Sequence, residues 1–326
     1  MAKIIIGIHG LGKKPPQRIM KKWWEKSIRE GLKSIGYPIQ FFTFEFVYWA
    51  DFLHDQPLDV SIKDKEHPLY LKEPYQPARD TVMKKPSDLK RKILNYLEKE
   101  LEKVFLNEDL SINFSGISDY IIKHFFTDLD QYYSGTCQDK NRETRPVKHV
   151  LREHLASVLR KHKNKEILLI GHSMGSILSY DVLTQTAPDV TIDTLVTIGS
   201  PLGIPAIVNK TITELKQRKG RPGQLATPEN VRRSWYNLSD LNDKVAFNYE
   251  LADEFQPNSR HIKVTDLVVY NNYEMNGVKN SHKDFGYLRT PECANIINEF
   301  LTRDRNPILV RMMDKLNRWI DRLHRL

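Results

Sequence analysis

At 326 residues, with 40% hydrophobic and 28% charged side chains and no apolar stretch long enough to span a bilayer, the chain has the composition of a globular protein: one core with room for a large insertion. Its two cysteines, Cys137 and Cys293, lie far apart without CxxC spacing, so they suggest free thiols and neither a disulfide framework nor a thiolate metal site. The net charge of +9 sits at the two ends: residues 1–50 hold nine Lys/Arg against three Glu, residues 303–326 seven against three Asp, and the remainder nets −1.

The first run, Lys3 to His9 (KIIIGIH), is short, β-branched and apolar, as buried parallel strands are, and it ends in the glycine-rich turn His9-Gly10-Leu11-Gly12. Before it, Met1-Ala2-Lys3 has none of the basic region, longer apolar segment and small-residue cleavage site of a signal peptide, so a cytoplasmic location is expected. From Gln17 to Ile35 apolar residues recur at helical spacing, with Gly36 and Pro38 as stop signals. Gln40 to Trp49 reads as a second strand. Further strands are expected at Glu166–Gly171, Thr194–Gly199, Ser234–Leu238 and Lys263–Tyr270, and helices at Pro146–Lys161, Ile177–Thr184 and Thr290–Thr302, the last capped by Thr290. This alternation predicts the α/β class, with a mostly parallel central sheet covered by helices on both faces.

Residues 51–144 break the alternation. A polar, proline-bearing stretch leads into a helical pattern from Ser87 to Phe105, and the segment closes on SGISDYIIKHFFTDLDQYYSG. A loop of this length must carry structure of its own. The expected organisation is a core of residues 1–50 and 145–305, a cap at 51–144, and a basic amphipathic helix at 306–326.

Residues 171–176 read GHSMGS, between the apolar run EILLI and the helical pattern ILSYDVL. In that setting G-x-S-x-G is a strand-to-helix turn that lifts the oxygen of Ser173 above the sheet, with glycines on both sides to relieve crowding. A serine hydroxyl needs a base, and the base needs a carboxylate to hold its tautomer; in this arrangement they follow in the order serine, acid, histidine. Asp243, in a turn past the strand that ends near Leu238, is the preferred acid, with Asp240 as the alternative. Of the later histidines, His261 would emerge at the wrong end of its strand and His324 lies near the chain terminus. His282, in a loop after the last strand, is at the right end. The carbonyl oxygen of an acyl substrate would take backbone N–H donors from Met174 and from Leu11, or alternatively Gly10. The HGLG turn lacks the G-x-G-x-x-G of a dinucleotide site.

Taken together, IIIGIHGLG, EILLIGHSMGSILSYDVL, TIGSPLG, WYNLSDLNDKVA and NSHKDFGYL resemble the α/β-hydrolase superfamily, in its lipase and esterase branches and in particular its PGAP1-like and lecithin:cholesterol acyltransferase-like groups. The resemblance covers the core and implies Leu11 at the oxyanion turn, Ser173 as nucleophile, Asp243 as orienting acid and His282 as base. It departs at Lys244, where such turns often carry proline. The expected activity is cleavage of a carboxylic ester, of a lipid or another acyl compound, through an acyl-serine intermediate, with no metal or organic cofactor. A thioesterase, amidase or acyltransferase would use the same residues, and a catalytically silent binding module is the rival from another class. The expected partner is a small-molecule acyl ester. The basic ends add peripheral contact with an anionic membrane as an expectation, whereas nucleic acid is not expected, because no basic run is interleaved with aromatics.

Overall fold

A computed structural model of the chain describes residues 1–38, 40–78, 104–106, 112–113, 115, 120–217, 224–246 and 250–305. Six strands, β1 (Lys3–Ile8), β2 (Phe44–Val47), β3 (Glu166–His172), β4 (Ile192–Ile198), β5 (Val231–Asp240) and β6 (Val264–Val269), form one sheet in the order β2-β1-β3-β4-β5-β6. Every pairing in it is parallel. The β-branched runs have no polar face because both faces are covered. Along β1, Ile4, Ile6 and Ile8 enter one apolar cluster and Ile5 the other; along β3, Ile167 and Leu169 divide from Leu168 and Ile170 in the same way.

On one face lie α1 (Gln17–Ser34) and the last two helices, α6 (Asp284–Leu288) and α7 (Pro291–Thr302); Trp24, Ile28, Phe285, Ile297 and Phe300 form their core. Thr290 caps α7 as expected, its hydroxyl oxygen accepting the Cys293 N–H at 3.3 Å. The other face carries α2 (Tyr120–Ser134), α3 (Val147–Lys161), α4 (Met174–Asp181) and α5 (Pro205–Lys216). The chain winds from β1 to its neighbour β2 on one side, then from β3 through β6 on the other. The crevice at this reversal lies above the carboxyl ends of β1 and β3, where doubly wound sheets bind ligands.

Several elements differ from the expectation. β2 is confined to Phe44–Val47, since as the edge strand it is held only where its register with Ile5–Ile8 of β1 allows. Phe105, expected to end a helix, pairs instead with Asn113 in a short antiparallel hairpin; the rest of the Ser87–Phe105 expectation lies almost wholly outside the described residues. So does the helix expected after Pro307, with His324. Within residues 51–144, α2 is embedded in the core: Phe126, Leu129 and Tyr132 are fully buried among Leu155, Ile177 and Tyr180. The Tyr132 hydroxyl donates to Asp181 at 2.7 Å and accepts from Arg152 Nε at 3.0 Å, while Arg152 also pairs with Asp181 and Glu214.

Candidate active site

Ser173 stands at the turn from β3 into α4 with φ 53° and ψ −124°, a conformation that L-residues rarely adopt, and it is only 2% exposed. The surroundings hold it there: its amide donates to the Ile198 carbonyl of β4 at 3.0 Å. The turn also presses against β1, because a Cβ on Gly175 would fall 2.7 Å from the Ile8 carbonyl oxygen. Only glycine allows α4 to begin so close to the neighbouring strand.

Three side chains from separate elements meet at this turn. His282, in the loop after β6, brings Nε2 to 3.0 Å from Ser173 Oγ, and both oxygens of Asp243 lie 2.9 Å from its Nδ1. Burial opposes the charge on Asp243, but His282, the Tyr287 hydroxyl (2.7 Å) and the Val245 amide (2.8 Å) outweigh it and hold the carboxyl below its ordinary range. An ionised Asp243 only accepts, so Nδ1 of His282 carries the proton and Nε2 offers its lone pair to the serine hydroxyl. The alternative acid, Asp240, ends β5 and is turned away; it binds the amides of Asn242 and Asn271, each at 2.7 Å. Gly199, at the end of β4 with φ 55°, leaves the space for the pair. A Cβ there would lie 3.0 Å from Asp243 Oδ2 and 3.3 Å from His282 Nδ1.

Met174 is the first residue of α4, so its N–H belongs to the unpaired amides of a helix start. Leu11 follows β1. Its peptide is aimed by His9, which is fully buried and stacked on Trp49 at 4.6 Å. The Trp49 amide donates to His9 Nε2 at 3.0 Å, so the proton is on Nδ1, which donates to the Gly10 carbonyl at 2.7 Å. Gly10 C=O and Leu11 N–H point in opposite directions across one planar peptide, so holding the first orients the second. Burial, then the charge of Lys14, keeps His9 well below its usual pKa and therefore neutral.

His172 makes a related contact. Its Nε2 donates to the His282 carbonyl at 2.8 Å, and the two rings lie 4.8 Å apart. Tyr287, His9, His172 and Gly199 are the supporting residues that sequence reasoning missed. The GHS and TIGS motifs contain two of them, His172 and Gly199, but the contacts are long-range and leave no periodic trace.

A cavity of about 490 Å³ opens on Ser173 and His282. Trp23 of α1, Leu58 and Leu71 of the inserted segment, Phe125 of α2, Val245 and Phe285 give it apolar walls. Among the described residues no His, Cys, Asp and Glu cluster is placed to hold a metal ion, and no helix is long and apolar enough to cross a membrane.

Comparison with known proteins gives a family match and two structural likenesses. Residues 98–263 match the model of the PGAP1-like alpha/beta domain. No curated protein sequence matches significantly. A protein of Lactobacillus plantarum WCFS1, provisionally assigned as a cell surface hydrolase, is similar at 14% identity over 71% of this chain and 94% of its own, with a TM-score of 0.31. An uncharacterized protein of Bacillus cereus ATCC 10987 is similar at 11% identity over 93% of this chain and 60% of its own, with a TM-score of 0.32. The family match spans half of the chain, including β3, α4, β4 and β5, and the sheet order agrees with it: the chain belongs to the family of PGAP1-like alpha/beta domains and is a hydrolase of the α/β-hydrolase fold.

Proposed function

We propose that the protein is a serine hydrolase that cleaves a carboxylic ester through an acyl-Ser173 intermediate. The observation that carries this reading is the continuous hydrogen-bonded path from Ser173 Oγ through His282 to the buried carboxylate of Asp243. Ser173 Oγ attacks the ester carbonyl while His282 Nε2 takes its proton, and Asp243 stabilises the imidazolium that forms. The negative charge on the carbonyl oxygen is received by the N–H groups of Leu11 and Met174; one such donor is worth about 3–4 kcal/mol in related sites. Collapse breaks the C–O bond, and the imidazolium returns its proton to the departing alcohol. Water then attacks the acyl-serine with His282 as base, releasing the acid and restoring Ser173. The apolar walls of the cavity favour acyl chains as the group held during these steps.

Turnover of a chain-length series of nitrophenyl esters tests the reading. The wild-type protein should hydrolyse them and Ser173→Ala should not, with unchanged circular dichroism. Equal rates for the two proteins would refute it.

A further inference from the structure

The cavity above Ser173 is apolar in its walls but not in its charges. Four lysines line it: Lys13, Lys14, Lys72 and Lys283. Among the described residues only Lys283 of these has a carboxylate partner, Glu73 at 3.3 Å. Lys14 lies three residues beyond Leu11, and among the described residues its ammonium makes one hydrogen bond, to the Leu11 carbonyl. That leaves two N–H donors of a partly buried cation unused.

The carboxylates in the same cavity do not answer it. Glu73 is held by two bonds from Asn280, at 2.8 and 2.9 Å, besides Lys283. Asp284 accepts from the Trp24 indole at 2.7 Å and from the Phe285 amide at 3.0 Å. Asp128 and the Lys14 ammonium both border Gly12, at 3.9 and 3.7 Å from where a Cβ there would stand. Burial first, and then the like charge of Lys283, bring Lys14 down to about 8, against the opposing pull of Asp284, Asp128 and Glu73. Two ammonium groups turned to one cavity repel each other, and an anion between them removes that cost and satisfies the unused donors.

We propose that the substrate of this site is an ester that also carries an anionic group, a carboxylate or a phosphate, received by Lys14 with Lys283 beside it. The proposal rests on the reading of Ser173 as nucleophile. It adds a second point of recognition: the acyl carbonyl is fixed at Leu11 and Met174, and the anion at Lys14, whose own bond to the Leu11 carbonyl ties the two together.

The test compares kcat/KM for three nitrophenyl esters of one chain length, ending in a free carboxylate, a phosphonate, or a methyl-capped carboxylate. At least one anionic ester should exceed the capped one by about tenfold or more, as a charge-assisted contact implies; which one does so separates carboxylate from phosphate recognition. That ratio should collapse in Lys14→Gln, which can still donate to Leu11, and persist in Lys14→Arg. Equal turnover of all three by the wild-type protein, or a ratio unchanged in Lys14→Gln, would overturn the anion site alone. Turnover of none would overturn it together with the reading of Ser173.

Discussion

On the proposed mechanism, the geometry around Ser173 separates residues that do chemistry from residues that aim them, and substitutions should divide accordingly. His282→Ala should be nearly as damaging as Ser173→Ala, because members of such a set act as a unit and their losses do not add. Asp243→Asn should cost less than either in kcat, yet it should leave Tyr287 and the Val245 amide with a poorer acceptor. Asp240→Asn should act on stability, since Asp240 ties the turn to the loop after β6 through Asn242 and Asn271. Kinetics and thermal melts on the two Asn variants check this, and loss of turnover in Asp240→Asn alone would reverse the assignment of the acid. His9→Phe keeps the stack on Trp49 but removes the bond to Gly10, so kcat should fall by about tenfold or more with KM little changed, a fraction of what losing an oxyanion donor costs. The order Ser173, Asp243, His282 could be read from the sequence because a strand-turn-helix motif anchors it. The aiming residues could not, since a buried histidine next to a glycine looks the same whether or not it bonds a distant strand end.

At the scale of elements, the turn from β3 into α4 depends on what stands behind it. Asp181 ends α4, and burial pushes its carboxyl up against the pull of Arg152, which reaches it from α3; Tyr132 of α2 bonds to both. Removing the cation would leave the buried Asp181 without its ion-pair partner, whereas Glu214 would keep Lys148 at 2.9 Å. Arg152→Met should therefore destabilise the protein by about 3–5 kcal/mol in denaturant titration, whereas Tyr132→Phe should cost about 1–2 kcal/mol. A neutral Arg152→Met variant would mean that water reaches this cluster. The strands were legible as continuous apolar runs, and α1, α3 and α7 as periodic ones with capping or stop signals. α5 was not: it begins at Pro205 after the Pro201–Gly203 turn, and Ile207, Val208, Thr211, Ile212 and Thr213 are β-branched, so propensity argues against a helix that packing stabilises. α2 was read only as apolar side chains available to a pocket; its burial against α3 and α4 is a tertiary fact.

The molecule as a whole gathers its site from distant parts of the chain. On the proposed reading, the turn after β1 supplies an oxyanion donor, β3 and α4 the serine, the turn after β5 the acid and the loop after β6 the histidine, all at the carboxyl ends of one parallel sheet. The inserted residues contribute at two depths: Leu58 and Leu71 border the cavity, while α2 fills the core. Replacing residues 51–144 by a short linker should for that reason lower the melting temperature by about 10 °C or more, besides changing which esters are cleaved. A melting temperature within a few degrees of wild type would show that α2 is dispensable to the core. The central claim, that this convergence makes Ser173 a nucleophile, is tested most directly by treating the full chain with a fluorophosphonate and mapping the modified peptide by mass spectrometry. The account predicts one covalent adduct, on Ser173, formed by the wild-type protein and lost in His282→Ala. Absence of any adduct on folded wild-type protein, or modification at another residue with Ser173 intact, would contradict it.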